Sequence, residues 1–311
     1  MKNAQTKIGS AGRGVLASVF SHVFWGFSFL ASRTALDRAS VFLLLSHRFL
    51  SAFLLIHIFL LLRPSLLRLR GKRVWLLLLL GLAEPVVYFI GEQYGLLHST
   101  TIFSGVMIAM IPIVSTLAAA PILKEKPSAL QLVFSLLSVS GVVGIGLMSR
   151  NAGMLDWIGV LGLLVAVASA TAYTLLSRGI SAEFSPFERC YTMLGIGAVA
   201  FTAMALAECG GSPAAYLAPL GDGSYLLSLL FLSACCSVAS YFLSGYALTY
   251  LSVARASVFA NLTTAVSVFA GAALLHEPFS WQGGIFCLLI LLGIYGVQKA
   301  GAQSSAERGG S

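Results

Sequence analysis

The chain is a succession of apolar runs of roughly 20 residues, separated by short polar connections. Each run is long enough to cross about 30 Å of hydrocarbon as a helix. The pattern predicts ten helices, near 14–32, 41–62, 74–97, 100–123, 129–148, 157–178, 187–207, 225–250, 254–275 and 281–298. An open strand edge cannot satisfy its backbone in lipid, so the expected fold is all-α, a membrane protein with ten transmembrane helices. Composition agrees. Hydrophobic residues make up 58% of the 311 positions and charged residues 10%, against about 25% charged in soluble domains.

The net charge of +8 changes the picture only in what it says about sidedness. Most of the basic residues sit in short connections, so there is no basic domain for nucleic acid to bind, and none is expected as a partner. With the N-terminus inside, cytoplasmic segments hold 15 Lys and Arg and the outer loops 3, namely Arg33, Arg38 and Arg150. Five of the 15 lie in "RPSLLRLRGKR" (63–73), and Arg48 falls within a span. The bias predicts a multi-pass protein of the cell inner membrane with both termini cytoplasmic. Lys2, Lys7 and Arg13 before an apolar run resemble a signal peptide, but nine further spans follow, so an uncleaved first helix is the reading. The five cysteines are odd in number and lack metal-ligand spacing, which makes them small packing residues.

The chain also repeats itself. A shift of 152 residues aligns "YGLLHST…LKEKPS" (94–128) with "YALTYLS…LHEPFS" (246–280) without a gap. Tyr94 meets Tyr246, Glu125 meets Glu277, Gly141 meets Gly293 and Gly144 meets Gly296, within 15 identities over 51 positions. Upstream, "GVL" at 14–16 and 159–161 and "SR" at 32–33 and 177–178 share a shift of 145. Two five-helix repeats follow, 1–150 and 151–311. Five is odd, so the second enters the membrane from the opposite side. Inverted repeats around a central cavity are a transporter signature, because exchanging the conformations of the halves opens the opposite face of one site.

Within this apolar frame a few polar residues call for explanation. Glu84 and Glu92 lie inside the run "GLAEPVVYFIGEQYGL" (81–96), where a carboxylate at the bilayer centre costs on the order of 2.5–3.5 kcal/mol. Glu84, Tyr88 and Glu92 follow an i, i+4, i+8 spacing and share one helix face. Glu84 stands near the midplane before Pro85, whose ring removes a backbone donor and bends the helix. It reads as a ligand for a substrate amine or as a proton carrier, with a hydrogen-bonded structural glutamate as the alternative. Glu92 and Arg48 lie at matched depth and are expected to pair as a structural ion pair or outer gate. His22, three residues before Trp25, is either a satisfied core histidine or a proton-exchange partner of Glu84. Trp25, Phe27, Tyr88, Tyr173 and Tyr241 are candidates for an aromatic lining, and buried Asn261 must find partners. Glu125 and Glu277 read as interfacial caps rather than substrate ligands.

"FWGFSF" (24–29), Arg48, "GEQYGLLHSTTIFSGVMIAMIPIV" (91–114) with Pro112, "ILKEKPS" (122–128), "LLHEPFS" (274–280) and glycines 141/144 and 293/296 occur in that order. With them the chain resembles the EamA-type, ten-helix branch of the drug/metabolite transporter superfamily. The resemblance implies a ten-helix basket around a central cavity and transport of small metabolites such as amino acids, purines or drugs, often outward. Thr264 stands opposite Pro112 in the repeat, which implies unequal roles for the fourth and ninth helices. P-loop, HExxH and nucleophile-elbow motifs are missing from the sequence, so neither enzyme chemistry nor a cofactor or metal is expected. The expected function is a gradient-driven exporter of a small amphiphilic or amine-bearing molecule, its partners being that substrate, membrane lipids and protons. An uptake permease of the same fold, a lipid-carrier flippase and a non-transporting scaffold are the alternatives.

Overall fold

The computed structural model describes residues 2–98, 107–108, 110–148, 157–266 and 281–309, and everything described is helix, turn or connection. The helices are α1 (Lys2–Leu36), α2 (Val41–Leu62), α3 (Trp75–Gly81), α4 (Tyr88–Leu97), α5 (Ile111–Ile122), α6 (Ala129–Met148), α7 (Trp157–Gly179), α8 (Pro186–Glu208), α9 (Pro213–Leu217), α10 (Gly223–Phe231), α11 (Ser240–Tyr250), α12 (Val253–Ser257) and α13 (Trp281–Gly309). Among the described residues, seven helical stretches are long and apolar enough to cross a membrane. Ile111–Ile122 and Ala129–Gly141 are shorter apolar helices. The predicted spans 100–123 and 254–275 fall partly outside the described residues. Pro112, expected mid-helix, stands in the first turn of α5, where its missing N–H is harmless.

Large apolar side chains such as Leu62, Val199, Leu227 and Leu288 are exposed, while Ser21, Ser46, Glu84, Arg189 and Asn261 are buried. This inside-out distribution suits lipid, where apolar surface gains nothing by being hidden and polar groups need partners.

Helix pairing follows the internal repeat. α1 packs on α11 and α4 on α7; α2 packs on α8, and α6 on α13. Small residues permit the close contacts. A Cβ on Gly141 would come within 2.7 Å of the Phe286 carbonyl, and one on Gly293 within 2.7 Å of the Phe134 carbonyl. Gly144 faces the Phe286 ring as Gly296 faces that of Phe134. All four pairings obey the 152-residue shift. The α4–α7 contact is similarly tight, with a Cβ on Gly91 meeting the Gly162 carbonyl at 2.8 Å and the reverse at 2.9 Å.

Polar ties collect the connections at two ends. At one end, Glu188 caps α8 through Ser185 and also accepts from Lys72 Nζ at 2.7 Å and Arg68 N–H at 2.9 Å. Arg73 hydrogen-bonds Glu183 there and holds its carboxyl below the usual carboxylate range. At the other end, Arg38 pairs with Asp222 at 3.2 Å and Ser40 donates to Glu208 at 2.7 Å. The 63–73 connection thus lies at the same end as residues 183–188, and residues 38–40 at the same end as 208–222.

Candidate functional site

The predicted span 74–97 is not one regular helix. Between α3 and α4 lies a wider π-type stretch, Leu82–Val87, in which Glu84 takes extended backbone angles (φ −140°, ψ 121°) and the Glu84–Pro85 peptide is cis. Proline explains the interruption: it brings no N–H, and it disfavours helical angles in the residue before it. The Ala83 carbonyl is then taken by the Tyr88 N–H and by Ser169 Oγ from α7.

A matching stretch, Leu232–Ala239, separates α10 from α11 and contains no proline. There the Cys235 carbonyl accepts from the Ser240 N–H and from Ser240 Oγ at 2.8 Å. Trp25 Nε1, from α1, donates to the Cys236 carbonyl at 2.9 Å. Ala83 and Cys235 are equivalent under the repeat. Each half thus has an opened helix turn whose carbonyls are satisfied by a side chain from the first helix of the other half.

Glu84 is buried between these two breaks, with the Tyr241 hydroxyl of α11 close enough to interact with its carboxyl. Tyr88, Tyr173 and Glu92 lie close enough to interact with it electrostatically. The Trp25 ring meets Tyr241 edge-on at 5.5 Å and His22 edge-on at 4.9 Å, and Tyr173 stands 6.4 Å from Tyr241. Tyr241 thus stands between Glu84 and Trp25, and Trp25 between Tyr241 and His22, while Tyr88 interacts with Glu84 along their own helix. His22 Nδ1 donates to the Ser18 carbonyl at 2.7 Å, which leaves Nε2 as the acceptor of the neutral ring.

Two expectations come out differently. Arg48 and Glu92 sense each other's charge, but no ion pair within 4.0 Å joins them among the described residues. Arg48 Nε instead donates to Ser237 Oγ at 2.8 Å, and its guanidinium lies 5.5 Å from the centre of the Phe89 ring. Glu92 accepts from the Tyr88 hydroxyl at 2.9 Å. Matched depth put the two charges at one height; their rotation about the helix axes turns them to different partners. Asn261 is the second case. It donates to Ser138 Oγ at 3.0 Å within the cluster around Val139, Phe259 and Ile290. Glu277 lies outside the described residues.

Three contributors were not read from sequence. Ser169 and Ser237 look like ordinary small residues of apolar helices until the carbonyl or guanidinium they serve is visible. Arg189 near the start of α8 counts as one more cytoplasmic charge, yet it is buried and binds Ser177, Gly245 and Thr249.

Comparison with known proteins agrees with this architecture. The model of the EamA-like transporter family matches the chain twice, over residues 12–147 and 157–298. An uncharacterized transporter of Bacillus subtilis (strain 168), YcxC, is 31% identical over 284 residues, covering 90% of this chain and 91% of that protein. An uncharacterized transporter of Archaeoglobus fulgidus is 25% identical over 275 residues, covering 88% and 94% respectively. A solved crystal structure shares the fold at a TM-score of 0.76 and 16% identity, over 93% of this chain and 98% of that one. Matched once in each of its two repeats, this multi-pass membrane protein belongs to the EamA-like transporter family.

Proposed function

We propose that the chain is a secondary transporter that exports a small amphiphilic or amine-bearing metabolite across the inner membrane by alternating access. Its working form is ten transmembrane helices in two inverted five-helix repeats. The observation that carries the reading is the placement of Glu84. A buried carboxyl group sits at a helix break and interacts with Tyr88 of its own repeat and with Tyr173 and Tyr241 of the other, Tyr241 in turn meeting the Trp25 ring. A carboxylate binds an ammonium group, and aromatic faces favour both cations and apolar surface. Because both repeats supply the walls, moving one against the other changes access while the site persists. A scaffold has no use for such a convergence. Proton exchange at Glu84, with His22 at the end of the aromatic chain, is the coupling we favour.

A thermal-shift screen of purified protein against amines, amino acids, purines and drug-like cations tests the reading. A true substrate at about 100 times its Kd adds about 2.7 kcal/mol of stability. That ligand should then exchange across proteoliposome membranes, and a panel in which every stabilising compound fails to exchange would refute transport at this site.

Orientation is part of the same proposal, with the 63–73 connection and both termini cytoplasmic, as the 15-to-3 charge count supports. Reporter fusions after residues 70 and 300 should both report the cytoplasm. A periplasmic signal from either would reverse the topology.

A further inference from the structure

Among the described residues two arginines are buried, and the molecule uses them differently. Arg189 spends both Nη groups on protein acceptors, at Ser177, Gly245 and Thr249. Arg48 is 5% exposed, yet only its Nε is bonded, to Ser237 Oγ at 2.8 Å. A guanidinium carries five N–H donors, and among the described residues no acceptor is bonded to the Nη groups of Arg48. Its central carbon lies 5.6 Å from the centre of the Phe49 ring and 5.5 Å from that of Phe89. These rings hold it against the helix break that bears Glu84. Phe89 follows Tyr88 in α4, and a Cβ on Gly197 would come within 2.7 Å of Pro85 and 2.8 Å of the Phe49 ring. On the other side stands Tyr241, one turn after Ser237, close enough to interact with both Glu84 and Arg48.

Opposite charges within a bilayer cost least when they pair directly. Arg48 forgoes that. No ion pair within 4.0 Å joins it to Glu84 or Glu92 among the described residues, and Glu92 takes the Tyr88 hydroxyl instead. A carboxyl group and an open guanidinium fork held beside one tyrosine are complementary to a molecule that carries both charges. We propose that Arg48 is the anion-binding residue of the Glu84 site and that the transported molecule is a zwitterion, with its amine on Glu84 and its carboxylate on the Arg48 fork. This inference rests on the reading of Glu84 above and narrows it. One planar fork matches one carboxylate in both charge and shape. A simple amine would leave the fork empty and bring a second cation beside it. A simple acid would face Glu84.

Calorimetric titration of the full chain in detergent, with compounds matched on one skeleton, tests the assignment. Three sets serve: leucine, isoamylamine and 4-methylpentanoate; tryptophan, tryptamine and indole-3-propionate; and 4-aminobutyrate, propylamine and butyrate. In at least one set the zwitterion should bind about tenfold or more tighter than its amine or its acid, as charge-assisted hydrogen bonds allow. Arg48→Gln should reduce the zwitterion to the level of the amine without weakening the amine. Glu84→Gln should weaken zwitterion and amine together. A merely structural Arg48 would instead change the binding of zwitterion and amine alike. Should Arg48→Gln fail to fold, the wild-type comparison stands by itself, and Arg48→Lys, which keeps the charge without the fork, should narrow the zwitterion's advantage. Amines that match their zwitterions in every set, or an equal loss of both in Arg48→Gln, overturn the proposal and leave the Glu84 reading standing. Acids that bind best, or silence from every compound, overturn both.

Discussion

Replacing Glu84 by Gln should lower transport at least about tenfold, about 1.4 kcal/mol in activation free energy, while leaving the protein folded. The amide keeps the size of the carboxyl and its capacity to accept a hydrogen bond, so the helix break and its aromatic surround lose little. What disappears is the negative charge, which both an amine ligand and a carried proton require. A charge-dependent site and a structural one therefore give opposite results. Loss of transport with normal stability marks a working carboxylate; normal transport with lowered stability marks a glutamate that only fills a buried hydrogen-bonding position. If the group also carries protons, wild-type transport should vary with pH across a range in which the Gln variant is flat. The measurement is uptake or counterflow in proteoliposomes with a substrate verified by binding. Full activity in Glu84→Gln would move the site toward Arg48 and Trp25.

How much of this was legible in the sequence depends on which coordinate a residue's role needs. The repeat was legible because packing writes it twice. Gly141 and Gly144 exist to admit Phe286, and Gly293 and Gly296 to admit Phe134, so the same spacing recurs in both halves. The opening of the helix at Glu84 was half legible, since Pro85 marks it. Its counterpart at Leu232–Ala239 was not, because there side-chain hydroxyl and indole donors do what proline does in the first repeat, and serine and tryptophan are common in such helices. The aromatic residues around Glu84 could be nominated by spacing and depth. Their meeting could not, since it depends on how helices from two halves are rotated. That missing rotation also explains Arg48 and Asn261. Hydropathy and span length give the height of a residue in the bilayer, and height alone does not choose between Glu92 and Ser237 as the partner of a guanidinium, or between Ser138 and the central site for an amide.

Arg189 shows the same limit with the largest consequence for stability. Its guanidinium is buried and holds two helix ends at once. Nη1 donates to the Ser177 carbonyl at 2.6 Å and to Ser177 Oγ at 2.8 Å, near the end of α7. Nη2 donates to the Gly245 carbonyl at 2.7 Å and to Thr249 Oγ1 at 2.6 Å on α11. The Ser177 carbonyl, in the last turn of α7, has no intrahelical donor, and a cation there complements the negative end of the helix dipole; the Gly245 carbonyl also accepts from Thr249 Oγ1. Arg189→Leu removes four hydrogen bonds from a charged donor and strands the Ser177 carbonyl in a place water cannot easily reach, at about 1–3 kcal/mol for an unsatisfied group. Relief from burying the guanidinium itself offsets part of that, so a net loss of about 3 kcal/mol is expected, read as unfolding of the purified protein in mixed micelles. Arg189→Lys should recover only part of the loss, because a single ammonium lacks the planar fork that reaches both helices. The pair of variants separates charge from geometry. Equal stability of the Lys variant and wild type would mean that a positive charge at this position suffices and that the two-helix clamp contributes nothing.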